Sequence, residues 1–392
     1  METAKIFLRK KIGPRIAEGH PWIYNNEIGD EDGSYESGDI VDVFTSTGSF
    51  IGKGYINPVS QIKIRLLSRV QEDVIDYNFL YNRILSAWHY RLKLGYNNNC
   101  RVVFGESDEL PGLVIDKIND FIIIQTLTLG MDIRKADILA IIRDIFAPKG
   151  IYERNDVYVR ELEGLPLIKG VVYGEIESEI MLEENGLKFF VDIIEGQKTG
   201  YFLDHYENRV SIERVVKDAH VLDAFSYTGT FSIYAAKFGA RSVLGLDLSE
   251  KAIEIAKRNA VLNGFDNICK FEQLNAFDVL KSWSRDGRKF DTIILDPPPF
   301  TKNRSNIQKA LTGYKEINLR AMKLIENGGF IITTCCTNLI STEAFIGIIQ
   351  EAARDAKKKV KQISLQSQSA DHPILWTVPE MHYLKFLIIS VQ

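Results

Sequence analysis

Residues 221–249 read VLDAFSYTGTFSIYAAKFGARSVLGLDLS, and this stretch decides the fold of the second half of the chain. It opens with a short apolar strand that breaks at the small, polar turn Ser226-Tyr227-Thr228-Gly229 and continues as a helix with one apolar face. A second apolar strand ends at Asp247. Ser249 is a typical N-cap for the next helix, and Asn263-Gly264 is a typical stop. The order strand, helix, strand, helix predicts a parallel sheet.

A ligand is expected beyond the carboxyl ends of these strands. Asp247 lies 24 residues after Asp223, and an acid about 20 residues on from the first strand can hold ribose hydroxyls. The loop contains one glycine, Gly229, and lacks the G-x-G-x-x-G pattern that cradles the pyrophosphate of a dinucleotide. Because S-adenosylmethionine (SAM) combines an adenosine with an amino-acid zwitterion and has no phosphate, the loop predicts SAM rather than a nicotinamide cofactor.

A third apolar strand, 290–295, runs directly into Asp296-Pro297-Pro298-Pro299-Phe300. Proline lacks an amide donor and restricts the residue before it, so the backbone here is held extended. The motif resembles the one at which nucleic-acid methyltransferases present the target base beside the methyl donor. The chain after Phe300 is rich in cations and predicts a basic loop that holds phosphates. These cations are Lys302, Arg304, Lys309, Lys315, Arg320 and Lys323.

The next strand, 330–334, ends at Cys335-Cys336 and is expected beside the strand that ends at Asp296. Carbon 5 of cytosine accepts a methyl group only after a nucleophile has added to carbon 6, and a thiolate does this well. Nearby lysines and arginines would favour the thiolate by lowering the thiol pKa. Because side chains alternate along a strand, only one of two consecutive cysteines faces a given base. We expect cytosine-C5 methylation at this edge of the sheet.

Composition narrows the possible classes of protein. The chain has 392 residues, of which 45% are hydrophobic and 26% charged, so two or three globular domains are expected. No apolar run is long enough to span a membrane and the first residues lack an apolar signal segment, which predicts a cytoplasmic protein. The four cysteines form no C-x-x-C pair, so neither a metal centre nor a disulfide framework is expected. With a net charge of −4, any surface for nucleic acid must be a local patch.

The rest of the chain suggests two further domains. Residues 1–70 contain short alternating strands with glycine turns, a basic cluster at Lys5 to Lys11 and Arg15, and the phrase His20-Pro21-Trp22-Ile23-Tyr24. This module resembles the PUA domain, a small β-barrel that binds RNA, although its charges also suit an ordinary solvated surface. Residues 71–190 are predicted to form an α+β connector, and residues 191–392 the α/β methyltransferase domain with a Rossmann-like class I fold.

Together, four motifs resemble the PUA-containing methyltransferases that modify cytosine carbon 5 in large-subunit ribosomal RNA. They are the Asp-Pro-Pro-x-Phe turn, the cysteine after the following strand, the loop Lys198-Thr199-Gly200-Tyr201-Phe202-Leu203-Asp204, and the late phrase Ala370-Asp371-His372-Pro373. The similarity extends over nearly the whole chain. The resemblance implies ribosomal RNA as partner and Cys336 as nucleophile, with Asp296 or water as the base that removes the carbon-5 proton. A homodimer is compatible with the sequence, which leaves the oligomeric state open.

The resemblance further implies a set of SAM-binding residues. These are Lys198, Thr199, Tyr201, Asp204, Asp223, Phe225, Ser226, Tyr227, Thr228, Gly229, Asp247, Leu248, Ser249, Asn275, Ala276, Asp296 and Pro297. Two positions depart from the family pattern, since Asn338 replaces the usual glycine and Asn275 stands where an acid often contacts adenine.

Two other functions fit parts of the same sequence. A methyltransferase for guanine N2 or another amino group would use the Asp-Pro-Pro turn and need no thiol. An RNA-binding assembly factor without catalytic activity would keep the N-terminal module and a vestigial pocket, although Asp223, Gly229 and Asp247 are all present.

Overall fold

A computed structural model describes residues 3–10, 13–301 and 303–392. Lys11 and Lys302, two of the cations singled out above, lie outside the described residues. The chain divides into two units. The first unit comprises 1–180, 191–203 and 370–381, and the second comprises 181–190, 204–369 and 382–392.

The first sheet of the first unit has the strand order β2-β6-β5-β4-β1-β3 in the described ranges. Its elements are β1 (Lys5–Leu8), α1 (Pro14–Ala17), β2 (Trp22–Ile23), β3 (Ile28–Asp32), β4 (Ile40–Phe44), β5 (Phe50–Ile56) and β6 (Ile64–Ser68). In β4 the buried residues alternate with partly exposed ones, as expected of a strand with one face on a core. That core gathers Ile6, Ile23, Val41, Val43 and Ile64.

A second sheet follows in the same unit, with the order β11-β10-β9-β8-β7. The elements here are α2 (Tyr77–Lys93), β7 (Asn99–Phe104), β8 (Leu113–Ile118), β9 (Phe121–Thr126), α3 (Leu129–Ile133), α4 (Lys135–Phe146), β10 (Gly150–Asn155) and β11 (Ile168–Gly174). Asp76 caps α2 by accepting the amide of Phe79 at 2.9 Å. Between β9 and β10 the chain forms two helices, α3 and α4, which are separated by Arg134.

Buried polar contacts join the two sheets of the first unit. The Tyr55 hydroxyl donates to the carbonyl oxygen of Pro111 at 2.7 Å. Arg65 donates to a carboxylate oxygen of Glu163 at 2.9 Å, and both side chains are nearly fully buried. The division of this half of the chain at residue 70 stays a prediction.

The second unit contains the stretch 221–249 and the Asp-Pro-Pro turn. Its elements begin with the hairpin β12 (Ile180–Glu184) and β13 (Leu187–Val191), whose end residues belong to the first unit. The others are α5 (Tyr206–Ser211), α6 (Glu213–Val216), β14 (His220–Asp223), α7 (Thr230–Lys237), β15 (Ser242–Asp247), α8 (Glu250–Leu262), β16 (Cys269–Gln273), α9 (Ala276–Asp286), β17 (Phe290–Leu295), α10 (Ile307–Leu324), β18 (Ile325–Cys336), α11 (Thr342–Ala356), β19 (Val360–Gln366) and β20 (Leu384–Val391).

The large sheet of the second unit has the order β16-β15-β14-β17-β18-β20-β19 in the described part of the chain. Neighbouring strands from β16 to β18 are parallel, and β20 is antiparallel to both of its neighbours. The central strands are almost continuously buried, which is typical of a sheet covered on both faces. A core of Leu222, Ile293, Ile331, Tyr314 and Phe345 ties the strands to α10 and α11.

Two local predictions in this unit are wrong. The basic stretch after Phe300 was expected to be a loop, but most of it is helix α10, which buries Tyr314, Ile317 and Ala321 on one face. The strand predicted at 330–334 begins earlier, because β18 starts at Ile325 and includes Asn327-Gly328-Gly329. Pairing with β17 jumps there from Phe290–Ile325 to Thr292–Phe330, so these residues form a bulge.

Within the described residues, the helices are all too short or too polar to cross a membrane.

Candidate active site

The carboxyl ends of β14, β15 and β17 lie at one edge of the sheet because these strands are parallel neighbours. Asp223 ends β14, Asp247 ends β15, and Asp296 follows directly after β17. The register pairs Asp223 with Gly245 and with Ile294, two residues before the other two acids. The sheet therefore brings three carboxyl groups that are distant in sequence into mutual electrostatic range.

Asp223 is fully buried, and its environment disfavours the charged form. One oxygen, Oδ2, accepts the Ser232 hydroxyl at 2.7 Å, while Oδ1 is buried and has no hydrogen-bond partner in the part of the chain that the structure describes. Burial is the main cause that raises the pKa of Asp223 to about 7. The Ser232 hydrogen bond opposes this effect, and the carboxylates of Asp296 and Asp247 add to it.

Asp247 holds the loop that follows β14. Its Oδ2 accepts the amide of Tyr227, and its Oδ1 accepts the amide of Ser249, both at 2.9 Å. Tyr227 has a φ of 47°, which the side chain tolerates because this hydrogen bond holds the backbone in place. Each carboxylate oxygen has a second lone pair, so Asp247 retains the capacity to accept hydroxyl groups from a ligand.

Gly229 is required by packing inside the protein. Its φ of 81° is strained for other residues. A Cβ atom at this position would lie 2.9 Å from the ring of Phe271 and 3.1 Å from Cβ of Ala256. The glycine thus allows the loop to lie against β16 and α8. Ser226 and Thr228, on the same turn, are buried.

An apolar border lies next to Asp247. Leu248 and Phe277 are 65% and 39% exposed, which is unusual for large apolar side chains beside a polar site. Phe277 packs edge-on against Phe225, with ring centroids 6.1 Å apart. Asn275 caps α9 by accepting the amide of Phe277 at 3.0 Å, and this leaves its amide nitrogen as a donor. Phe277 was not singled out from the sequence, because exposure of an aromatic side chain cannot be recognised without the fold.

Ala276 follows Asn275 and is buried, and Pro297 follows Asp296 and is also buried. Ser249 caps α8 by accepting the amide of Ala252 at 3.2 Å.

Lys198, Thr199 and Tyr201 belong to the first unit. The Thr199 hydroxyl donates to the buried carboxylate of Asp116 at 2.6 Å. Lys198 lies over the ring of Phe202, 4.4 Å from its centroid, and Tyr201 is buried. Their assignment to the SAM site stays a prediction. Asp204 belongs to the second unit, where its Oδ2 accepts the hydroxyl of Tyr383 at 2.6 Å.

Cys336 ends β18 next to the Asp-Pro-Pro turn. Since β18 is parallel to β17 and pairs Leu295 with Thr333, Thr334 comes to lie beside Asp296. The Thr334 hydroxyl donates to Asp296 Oδ1. The Cys336 thiol lies 3.9 Å from the same carboxylate oxygen and 3.9 Å from the Thr334 hydroxyl oxygen. A thiol, a carboxyl group and a hydroxyl group are therefore assembled at the strand ends.

The four cysteines differ sharply in environment. Cys336 has a partly exposed side chain, while Cys100, Cys269 and Cys335 are buried. Burial raises the pKa of the Cys269 thiol to about 12 and also raises the pKa values of the Cys100 and Cys335 thiols. Cys335 points into the core together with Tyr314 and Phe345. Alternation along β18 thus directs one cysteine to the core and the next to Asp296.

Two further residues, Lys385 and His205, lie in the surroundings of Cys336 and Asp296. Lys385, opposite Cys335 on β20, is 2% exposed and donates to the carbonyl oxygen of Thr337 at 2.7 Å. Burial lowers the pKa of Lys385, and the two cysteines oppose that shift. His205 lies with Nε2 3.5 Å from Asp296 Oδ2. A role for His205 could not be recognised from the sequence, because a single histidine in a polar loop does not show which residues it contacts.

Two cations of the predicted basic patch, Lys315 and Arg320, form salt bridges in the structure. Lys315 pairs with Glu351 and Asp355, at 3.2 and 2.9 Å, and Arg320 pairs with Glu316 on the same helix. Arg304 and Lys309 are exposed.

In the N-terminal module a predicted cation is likewise paired within the protein, because Arg15 donates both to Glu27 and to the carbonyl oxygen of Trp22. In the phrase 20–24, His20 is buried and the Trp22 indole donates to Glu106 at 2.8 Å. These residues therefore hold the first unit together.

Comparison with known proteins decides the family. A family model described as S-adenosylmethionine-dependent methyltransferase matches residues 171–373, just over half of the chain. The "Ribosomal RNA large subunit methyltransferase I" of Tolumonas auensis is 38% identical over 396 residues, which cover 99% of each chain. The chain belongs to the S-adenosylmethionine-dependent methyltransferases. A model of the PUA-like domain matches residues 6–69.

Two solved structures show the same fold as this methyltransferase. One is of a Streptococcus mutans protein assigned to the SAM-dependent methyltransferases, with a TM-score of 0.83 and 20% identity over 98% of this chain and 99% of that chain. The other is of a methyltransferase in complex with SAH, with a TM-score of 0.84 and 20% identity over the same shares. The predicted fold class, a PUA-like module with a Rossmann-like methyltransferase domain, is confirmed.

The residues at the strand ends of this methyltransferase fit SAM. The buried Oδ1 of Asp223, without a partner among the described residues, suits a cationic ligand. Asp247 offers acceptors for ribose hydroxyls, and Leu248 and Phe277 offer an apolar border for adenine. SAM, when bound, supplies an electrophilic methyl group. The individual contacts of these residues with SAM remain predictions.

Asp247→Ala should weaken SAM binding, because the variant lacks a charged acceptor for two hydroxyl groups. The expected decrease is on the order of 1.5 to 3 kcal/mol, or roughly ten- to a hundredfold in Kd. Calorimetric titration with SAM measures it. Glu250→Ala, which removes a neighbouring exposed acid of α8, is the matched control and should bind as the unaltered protein does. Equal SAM affinity in Asp247→Ala and the unaltered protein would disprove the assignment.

SAM affinity should also depend on pH through Asp223. The pKa of this carboxyl group is raised to about 7 in the free protein, so below pH 7 a proton must leave before a cation can bind to the carboxylate. Affinity should therefore be roughly five- to tenfold weaker at pH 6 than at pH 8. In Asp223→Asn the dependence should disappear and affinity should be low throughout. A dependence that persists in Asp223→Asn would have to come from another group.

Proposed function

We propose that this methyltransferase methylates carbon 5 of a cytosine in large-subunit ribosomal RNA through a covalent adduct with Cys336. The observation that carries the proposal is the position of Cys336. Of the four cysteines it is the one with a partly exposed side chain, and it lies 3.9 Å from Asp296 at the strand ends where the methyl donor is expected. The name of the Tolumonas auensis relative supports ribosomal RNA as the substrate. A cytoplasmic location belongs to the same proposal.

The first step is addition of the thiolate to the base. The enzyme holds the cytosine out of its stack, at a cost of a few kcal/mol. The Cys336 sulfur then forms a bond to carbon 6, and the electron pair of the carbon 5–carbon 6 double bond moves to the ring, which makes carbon 5 nucleophilic. Phe300 follows the Asp-Pro-Pro turn and stacks on Tyr314 with ring centroids 4.4 Å apart, so an aromatic surface is available beside the base.

The second step is elimination. After methylation, carbon 5 carries both a methyl group and a proton. Asp296, or a water molecule, takes this proton. The electron pair of the broken carbon–hydrogen bond restores the ring double bond, and the carbon–sulfur bond breaks to release the Cys336 thiolate. Lys385 favours that thiolate electrostatically, because it is the buried cation next to both cysteines.

A substrate containing 5-fluorocytosine should trap the adduct, because fluorine replaces the proton that must leave. Peptide mapping of a trapped ribosomal RNA fragment should find the adduct on Cys336. Cys336→Ala should abolish both turnover and trapping, while Cys335→Ala, which removes a core thiol, should retain them apart from a decrease in stability.

An adduct on Cys335 would refute the assignment of the nucleophile. Full activity in Cys336→Ser with no adduct would instead support methylation of an amino group, as on guanine N2. If SAM did not bind at all, the alternative of a non-catalytic RNA-binding factor would be favoured.

The exposed cations Arg304 and Lys309 should bind RNA phosphates. Charge reversal of both should reduce the slope of log affinity against log salt by about 0.7 to 0.9 for each phosphate that is no longer neutralised. Lys315→Glu is the matched control, because Lys315 is already paired with Glu351 and Asp355. RNA affinity measured at several salt concentrations tests this prediction. An unchanged slope in the double variant would mean that these cations are only solvated.

A further inference from the structure

His205 lies in the candidate active site without an assigned role. It precedes α5 and is 1% exposed. Its ring is held edge-on against Phe231 and Phe386, with centroids 5.4 and 6.2 Å away. Nε2 lies 3.5 Å from Asp296 Oδ2, which is within electrostatic range but longer than an ordinary hydrogen bond. A histidine held this firmly presents the same ring nitrogen to Asp296 throughout.

The protonation of the ring follows from Asn208. The amide nitrogen of Asn208 lies 3.0 Å from the carbonyl oxygen of Ser367, which can only accept, and this contact fixes the orientation of the amide. The same nitrogen lies 3.3 Å from His205 Nδ1. Since a donor faces Nδ1, this atom must be the acceptor. The proton of the neutral ring is therefore on Nε2, the ring nitrogen that lies 3.5 Å from Asp296 Oδ2.

The cluster formed by His205, Asp296 and Cys336 has the residue types either to bind a metal ion or to orient a general base. The tautomer of His205 distinguishes these two roles. One ligand atom from each lies within 4.8 Å of the others, a spacing that suits a metal ion. A metal needs the lone pair of Nε2, and that would place a proton on Nδ1 against the donor group of Asn208. The arrangement instead presents an N–H group to a carboxylate, which is the arrangement that orients a general base.

We propose that His205 is a positioning residue for Asp296. Its Nε2–H group faces Oδ2 and orients the carboxylate electrostatically, so that Oδ1 stays directed at Thr334 and Cys336 and receives the carbon-5 proton during elimination. The protonated Asp296 then returns this proton to the Cys336 thiolate, which regenerates the thiol and the carboxylate. This inference rests on the proposed function, because the elimination step exists only if a cysteine adduct forms.

The test compares two substitutions at one position. His205→Gln keeps an N–H donor at similar reach, whereas His205→Leu fills the space without one. With ordinary cytosine RNA, turnover should fall about 10- to 100-fold in the leucine variant, the scale expected when the orienting partner of a functional group is removed, and by less than this in the glutamine variant. Trapping by 5-fluorocytosine RNA should stay near the wild-type rate in both variants, since addition and methylation precede proton removal.

A second readout follows from the same step. With ordinary cytosine the leucine variant should accumulate the methylated Cys336–RNA adduct, visible as a retarded band on a denaturing gel, whereas disturbed packing alone would not produce it. If wild-type protein traps no 5-fluorocytosine adduct, the proposed function fails. If it does, but His205→Leu turns over cytosine normally or loses trapping and turnover equally, the role of His205 is wrong.

Should the leucine variant not fold, Asn208→Ala carries the same test. It allows the ring proton to move to Nδ1, so turnover should fall while trapping persists, and unchanged turnover would contradict the inference.

Discussion

The site depends on one constraint, the parallel pairing of β14 with β15 and β17. This pairing brings Asp223, Asp247 and Asp296, which lie far apart in the sequence, to one edge of the sheet. Burial raises the pKa of Asp223, the member with the least access to water, and repulsion from the other two carboxylates adds to this shift. Such an arrangement costs stability in the free protein and is relieved by a cation. SAM, the cofactor of the family to which the chain belongs, carries two positively charged groups, and we therefore expect it to bind at these carboxylates.

The same geometry separates the two cysteines. Consecutive residues of a strand face opposite sides, and β18 is buried on both. Cys335 therefore packs with Tyr314 in the core, where burial raises the pKa of its thiol, and Cys336 meets Asp296 and Thr334. A shift of β18 by one residue would exchange these environments. The bulge at 327–329 and the antiparallel pairing of Cys336 with Leu384 fix the register from both ends of the strand.

The sequence was sufficient for what depends on local pattern. The alternation of strands with helices, the caps at Ser249 and Asn263 and the stop at the prolines predicted the α/β fold, and the resemblance supplied the PUA-like module. Through-space pairing was not predictable. Lys315 and Arg320 look like free cations in the sequence, but Glu351, Asp355 and Glu316 neutralise them. The close packing of Gly229 against Phe271 could not be recognised from the sequence either. His205 and Asp296 are 91 residues apart, so only the fold shows that they meet.

In the proposed mechanism, in which Cys336 is the nucleophile and Asp296 the base, Asp296 also opposes the first step. A carboxylate 3.9 Å from a thiol opposes formation of the thiolate, because the two negative charges repel. Three donors around the pair reduce this opposition. Thr334 donates to one oxygen of Asp296, His205 faces the other, and Lys385 lies beside the cysteines from the neighbouring strand. These groups spread the charge of the carboxylate and of the sulfur over fixed dipoles and one buried cation. A base and a nucleophile can then share a small site, provided that each has its own electrostatic partner on a rigid strand or helix.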